Sequence, residues 1–282
     1  SSRLEIRAFA PTPRIEFTST GAGAAAVVVR LTNFSGRGVA LEGTGARPTE
    51  EEPAAVSFTT RIEPGTRSEI KATPALREDT FRFYVCADSH GHNQTLGRIL
   101  ATAEREGALF VLELGDLVGD TEHSSELLER FRARQEFVSH FDVAYLTALG
   151  DEDTADAEGH DGSAYVQSFG PTYYSFDYGN SRFIVLDNAK GYISRRQLAW
   201  LEETMAQDGP VEHTFVFAHM PLFDPRPGHH HAMVPLIGGA GRLRKLLEDG
   251  GADMVFAGHL HRHMRTELND VAYIIAGEAG GS

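Results

Sequence analysis

The sequence predicts a mixed α/β protein, a domain of alternating strands and helices preceded by a small all-β domain. Three observations carry this. Up to about residue 78, short alternating segments stand between clusters of turn residues, with no helical period. Beyond about residue 80, short apolar runs rich in β-branched and aromatic residues alternate with segments of helical period. Five of those runs stop abruptly at aspartate or histidine, which places polar groups at strand ends.

In the first region, expected strands are Leu4–Arg7, Ala26–Leu31, Ala55–Thr60 and Ser68–Lys71. Pro11 and Pro13, Gly21–Gly23, Gly43–Gly45 and Pro64-Gly65 separate them, which fits a β-sandwich spanning residues 1–78. No chemical motif occurs there, and Ala75–Asp79 reads as a linker into a second domain, 79–282. In that domain Asn93 is positioned to cap a helix with Leu96, Ile99, Leu100 and Ala103 on its apolar face, ending at Gly107. Ser124 opens the next, with Leu127, Leu128, Phe131 and Val138 facing inward. Ser194 and Gln197 have the spacing of a capping box ahead of Leu198, Trp200, Leu201 and Met205. A fourth helix carries Leu243, Leu246 and Leu247 and stops at Gly250-Gly251. Gly179-Asn180 joins two alternating runs as a hairpin turn.

The five interrupted runs hold the chemistry. Tyr84–Ala87 leads to Asp88-Ser89-His90, Leu109–Leu114 to Gly115-Asp116, and Ala144–Leu149 to Gly150-Asp151-Glu152-Asp153. Phe215–Ala218 leads to His219, and Met254–Ala257 to Gly258-His259-Leu260-His261. A lone aspartate after a strand is usually a turn or cap. Five such endings gathered at one rim describe a metal site instead. Asp88, His90, Asp116, Asp151, His219, His259 and His261 offer oxygen and imidazole donors but no thiolate, a set suited to Mn, Fe, Zn or Co. One tetrahedral ion needs only three or four ligands, so this number implies two ions sharing a carboxylate.

Composition narrows the classes. Basic residues number 26 against 40 acidic, a net charge of −14, which lacks the footprint of a nucleic-acid binder. No apolar stretch approaches the roughly 20 residues of a membrane helix. The only cysteine, Cys86, lies inside a strand run and reads as a small core residue. The chain opens on Ser1 without an initiator methionine, and export to the periplasm or medium followed by trimming is the favoured expectation. His229–His231 fall in a Pro/Gly-rich loop and read as solvated, while His92, His160 and His263 lie near the motifs; His123 and His140 carry no further signal.

Asp88-x-His90, Gly115-Asp116, Gly150-Asp151-Glu152-Asp153, His219 and Gly258-His259-x-His261 follow the motif order of calcineurin-like metallophosphoesterases, which the chain resembles from about Phe81 to Gly277. Phe169–Asn180, Leu186-Asp187 and Gln197–Glu202 resemble bacterial members of that family. The resemblance implies a four-layer α-β-β-α sandwich. It also implies one ion held by Asp88, His90, Asp116 and His261, and a second by Asp116, Asp151, His219 and His259, with Asp116 bridging. The implied ions are Mn, Fe or Zn, and the implied reaction is attack of a metal-bound hydroxide on a phosphate mono- or diester.

The third motif departs from the family's Gly-Asn-His. Asp151 stands at the asparagine and Glu152 at the histidine that steadies the phosphoryl group and protonates the leaving oxygen. Asp151 can still coordinate but adds negative charge. Glu152 is the candidate acid, although nearby cations favour its ionised form. His160, in the adjoining acidic segment, is a candidate substitute for the missing imidazole. The purple acid phosphatase branch has a metal-binding tyrosine three residues after the bridging aspartate, where this chain has Gly119. The competing expectation is a weakened or non-catalytic member that binds metal or phosphate as an interaction module.

Overall fold

A computed structural model describes residues 2–43, 45–75, 80–155, 162–228, 230–233 and 239–280. His160, His229 and residues 76–79 of the expected linker lie outside the described residues. Spatially, the chain gathers into two compact units. One is Ser1–Tyr84 with Ile99–Val111 and Glu136–Leu146; the other is Val85–Arg98 with Leu112–Gln135 and Thr147–Ser282.

Seven strands make the amino-terminal sandwich: β1 (Ser2–Arg7), β2 (Arg14–Thr18), β3 (Ala25–Thr32), β4 (Ala40–Glu42), β5 (Pro48–Glu52), β6 (Ala55–Ile62) and β7 (Arg67–Thr73). They form two sheets, ordered β1-β3-β6-β5 and β2-β7-β4. The alternation visible in sequence does the sorting. Val27, Val29 and Leu31 of β3 and Val56, Phe58 and Ile62 of β6 turn inward to meet Ile15, Phe17, Ile70 and Ala72. β2, β4 and β5 were not expected. β4 has three residues, and β5 is an acidic edge strand opened by proline, whose missing N–H an edge tolerates.

The remaining elements are β8 (Phe83–Cys86), α1 (Asn93–Arg105), β9 (Phe110–Glu113), α2 (Ser124–Val138), β10 (Ala144–Thr147), α3 (Ser163–Phe169), β11 (Tyr174–Tyr178), β12 (Ser181–Val185), α4 (Arg195–Met205), β13 (His213–Phe217), α5 (Ala240–Asp249), β14 (Met254–Ala257), β15 (Met264–Leu268) and β16 (Val271–Ile275). One sheet runs β10-β9-β8; the other runs β11-β12-β13-β14-β16-β15 and is parallel from β12 through β16. β9, β10 and β12 are buried along their whole length; β9 and β10 read as apolar runs for that reason, whereas β12 opens on the buried Ser181 and Arg182 and reads as alternating. Leu198 and Leu201 of α4 and Leu243 and Leu247 of α5 cover Ile184, Val216 and Val255 of the larger sheet. The elements after β7 are thus mixed α/β, and a β-rich region precedes them in the chain.

The hairpin turns at Gly179-Asn180 as expected, with Tyr178 opposite Ser181. The capping box is only half formed. Ser194 Oγ accepts the Gln197 N–H, but the Gln197 side chain turns away to hold the backbone N–H and C=O of Asp187. That clamp fixes the end of β12, so the glutamine serves tertiary structure instead of the helix start. The short helix α3 was not anticipated from the pattern.

Within the first unit, Asn33 sits in left-handed backbone (φ 59°) and is buried. Its Nδ2 donates to Ala8 O at 2.8 Å, and its Oδ1 accepts from the Tyr145 N–H at 2.9 Å. Asp142 accepts from the Gly36 N–H at 2.9 Å. Asn33→Ala strands the Tyr145 amide without its acceptor, which should cost about 1–3 kcal/mol. Chemical denaturation will show a lower midpoint with an unchanged slope; an unchanged midpoint would mean that these contacts contribute nothing.

Candidate metal centre

Each interrupted run delivers its polar residue through a tight turn directly after a strand, and the turns converge. His219, at the end of β13, presents Nε2 to Asp151 Oδ1 at 2.6 Å and to Asp116 Oδ2 at 3.4 Å. Its other nitrogen, Nδ1, is 2.7 Å from the Leu114 carbonyl. That carbonyl needs a donor, so Nδ1 keeps its proton in every state and Nε2 is the nitrogen that faces the cluster, protonated toward Asp151 here and free to coordinate once that proton leaves. His259 Nδ1 lies 3.1 Å from Asp151 Oδ1 and 3.2 Å from His219 Nε2. On the other side of Asp116, His90 Nε2 approaches Oδ2 at 3.7 Å, and His90 Nδ1 is set by the Asp88 carbonyl at 3.0 Å. The His90 and His261 rings meet edge-on at 5.0 Å.

Two groups of donor atoms therefore lie close enough to share an ion: Asp116, Asp151, His219 and His259, and His90, Asp116 and His261. Asp116 belongs to both. The buried Asp88 carboxylate stands beside the second group, with Oδ1 3.9 Å from His261 Nε2, and accepts the His259 backbone N–H at 3.0 Å. Glu152 lies 3.2 Å from His90 Nε2, and its backbone N–H donates to Asp116 Oδ1.

Backbone geometry marks the same residues. Asp88, His90, Asp116, His259 and His261 all have positive φ, between 45° and 66°. Left-handed backbone is uncommon outside glycine, although Asp and His tolerate it better than most. Each such residue costs on the order of 1–3 kcal/mol and persists only where its surroundings hold it. Glycines let the turns touch: a Cβ on Gly150 would fall 2.1 Å from Asp116 N, and one on Gly258 would fall 2.8 Å from the Ala87 Cβ.

The electrostatics describe a site built for cations. Burial pushes the Asp88 carboxyl up to about 6, and burial with the neighbouring Asp116 charge pushes Asp153 up to about 8. Burial alone would lower His219, but Asp116, Asp151 and Asp88 around it raise it to about 10. Burial would likewise raise Asp151, yet hydrogen bonds from His219 and His259 hold it well below the usual carboxylate range. The hydrogen bond between His90 and Glu152 raises the imidazole to about 9 and lowers the carboxyl. The partners of Asp88, Asp116 and Asp151 are imidazoles and backbone amides. Protons on those imidazoles supply the positive charge that the carboxylates demand, which is the charge a metal ion would supply. The donor set and its charge fit divalent metal ions.

The sequence matches the calcineurin-like phosphoesterases over residues 81–263. The chain belongs to that family. It is thus placed among metal-dependent phosphoester hydrolases. No curated protein sequence is a significant match. Among solved structures, the fold is similar to a dimetal phosphatase from Danio rerio, with 15% identity, a TM-score of 0.55, 71% of this chain covered and 88% of that one. A purple acid phosphatase from yellow lupin (Lupinus luteus) seeds is 14% identical with a TM-score of 0.61, covering 95% of this chain; this chain spans only 62% of the lupin enzyme. GAP50, titled as the anchor in the inner membrane complex of Plasmodium, is 16% identical with a TM-score of 0.54, covering 72% of this chain and 75% of that one. At these identities the likeness is one of fold.

Three residues with structural roles here had no assignment from sequence. Asp153 is fully buried, and its carboxylate accepts the Leu117 N–H at 2.9 Å and the Gly150 N–H at 3.0 Å, tying the Asp116 and Asp151 turns together. Glu113 and Arg134 are buried charges beneath the Asp88 and Asp116 turns. Both left a signal: Glu113 interrupts an apolar strand, and Arg134 sits three residues beyond Phe131 on the inward face of α2. The remaining described histidines, His92, His123, His140, His213, His230, His231 and His263, are exposed.

The raised pKa values set a sign for stability. The folded, metal-free protein holds protons on His219 and His90 up to about 10 and 9, whereas an unfolded histidine releases them near 6.5. Stability from these groups is full below about pH 6.5 and is lost as pH rises through 9–10. Asp153, held up to about 8, acts in the same direction. Melting temperatures of chelator-treated protein should therefore fall between pH 6.5 and 9.5, while metal affinity rises over that range because the ligands must be deprotonated. A melting temperature that climbs with pH in the metal-free protein would contradict this electrostatic account.

Proposed function

We propose that the site binds two divalent metal ions, Mn, Fe or Zn, and hydrolyses phosphate esters, with a preference for diesters. The observation that carries this is Asp116, common to two donor groups, as expected of a bridging carboxylate. On this reading Asp88, His90, Asp116 and His261 hold one ion, and Asp116, Asp151, His219 and His259 the other. When bound, the ions supply Lewis acidity toward the phosphoryl oxygens and lower the pKa of a coordinated water. The carbonyls of Leu114 and Asp88 fix the tautomers of His219 and His90 so that Nε2 of each faces inward. Gly150 and Gly258 let the turns close, and Asp153 holds the Asp151 turn against that of Asp116.

The preference follows from charge. Four ionised carboxylates, Asp88, Asp116, Asp151 and Glu152, balance the charge of two divalent ions. A nearly neutral loaded site offers a monoester dianion little attraction to offset its desolvation, and a diester monoanion has less charge to desolvate. Glu152, ionised and paired with His90, is a poor proton donor to a leaving oxygen.

A second reading, a weakened member serving as an interaction module, draws on that same Glu152 and on the similar fold of GAP50, which is titled an anchor. Turnover separates the two. Protein reconstituted with Mn or Zn should hydrolyse an aryl phosphate diester faster than the matching monoester; no turnover of either would favour the module. The paired change Asp151→Asn and Glu152→His should raise turnover on alkyl esters by up to about 10²–10⁴-fold, the usual worth of general acid catalysis, and raise it less on nitrophenyl esters. A double variant that keeps its metals yet is no faster on alkyl esters would show that Glu152 already delivers the proton.

A further inference from the structure

Glu113, Arg134 and Ser89 form a buried polar network directly behind the metal-bearing turns, with the Glu113 and Arg134 side chains 0% and 1% exposed. Arg134 comes from α2 and Glu113 from the end of β9. Arg134 Nη1 donates to Glu113 Oε2 at 3.3 Å. Arg134 Nη2 donates to Ser89 Oγ at 3.0 Å and to the Leu117 carbonyl at 2.6 Å. Glu113 Oε1 accepts the Ser89 backbone N–H at 3.3 Å.

The grasped atoms are informative. Ser89 lies between Asp88 and His90, and Leu117 follows Asp116. Asp88, His90 and Asp116 have φ of 55°, 45° and 52°. Residues of this kind need surroundings that hold them. Ser89 is held at both its amide and its hydroxyl, while Leu117 is held at its carbonyl by Arg134 and at its amide by Asp153. A neutral side chain could satisfy one of these groups. The planar guanidinium keeps Nη1 on Glu113 while Nη2 alone reaches both turns, and its rigid fork fixes the two nitrogens relative to each other.

We infer that Arg134 and Glu113 are positioning residues, a buried clamp that holds the Asp88-Ser89-His90 turn and the Asp116-Leu117 turn at the spacing metal binding requires. This rests on the metal-binding reading of the site. Stability alone explains the pair poorly, because replacing a buried ion pair with apolar residues of similar volume is often neutral or stabilising. The residues lie behind the turns, so they act on metal and substrate through the backbone of Ser89 and Leu117.

The test compares metal-free wild type with the paired variant Arg134→Met/Glu113→Leu and the single variant Arg134→Lys, by Mn²⁺ titration calorimetry and by melting temperature without metal. The paired variant leaves the Ser89 N–H without its acceptor and should melt several degrees below wild type. It should also bind Mn²⁺ about 10–100-fold more weakly at temperatures where it is fully folded, the usual loss when groups that orient metal ligands are removed. Arg134→Lys keeps the charge but loses the fork, and should show the same loss of affinity while folded. It also answers the question should the paired variant fail to fold. Wild-type Mn²⁺ affinity in folded variants would overturn the clamp while leaving the metal site intact. Affinity that falls only in step with melting temperature would reduce the pair to a structural role. Wild-type protein that binds no Mn²⁺ would defeat the metal-site reading, and the clamp with it.

Discussion

Buried negative charge is the constraint on which the second compact unit depends. Asp88 and Asp116 are nearly inaccessible, Asp151 is partly so, and all three converge within a few ångströms of His219, His259 and His261. Carboxylates crowded this way in a low dielectric repel one another and are costly to desolvate. Much of the architecture around them answers that cost. Imidazoles stand between them, backbone amides of His259 and Glu152 donate to them, and Asp88, Asp116 and His219 hold their protons to higher pH. A protein that only needed stability would place apolar residues at these strand ends. Retaining the charges is comprehensible if cations are meant to enter.

The same constraint explains the backbone. A donor just after a strand has to meet groups delivered by neighbouring strands. Left-handed φ at Asp88, His90, Asp116, His259 and His261 accompanies that convergence, at a strain that the surrounding hydrogen bonds must offset. Gly150 and Gly258 supply the close approach, Asp153 ties two turns, and the Arg134–Glu113 network holds a third to one of them. The helices enter indirectly: α2 contributes the arginine, while α4 and α5 pack against the larger sheet.

Much of the site was legible because its chemistry is local. Strand followed by Asp or His is a pattern of adjacent residues, and five repetitions in order picked out seven candidate donors, six of which the fold brings into the two donor groups. The buried strands were legible because their apolar runs have no polar face. What stayed hidden depended on distant partners. β5 reads as an acidic loop until β6 lies beside it, and Gln197 reads as a capping residue until the Asp187 backbone arrives to claim its side chain. Arg134 and Glu113 were visible singly as charges in apolar settings, but only the fold shows that each is the other's partner. Asp153 sat inside a recognised motif, hidden by an acidic run that resembled a solvated loop.

Asp116 is the proposed bridge between two metal ions. Crystals of protein reconstituted with Mn²⁺, measured near the manganese absorption edge, test it most directly. The account requires two anomalous peaks about 3.5–4 Å apart, both within coordination distance of the Asp116 carboxylate, with His219 at one and His90 at the other. A single peak, or two peaks that do not share Asp116, would contradict it.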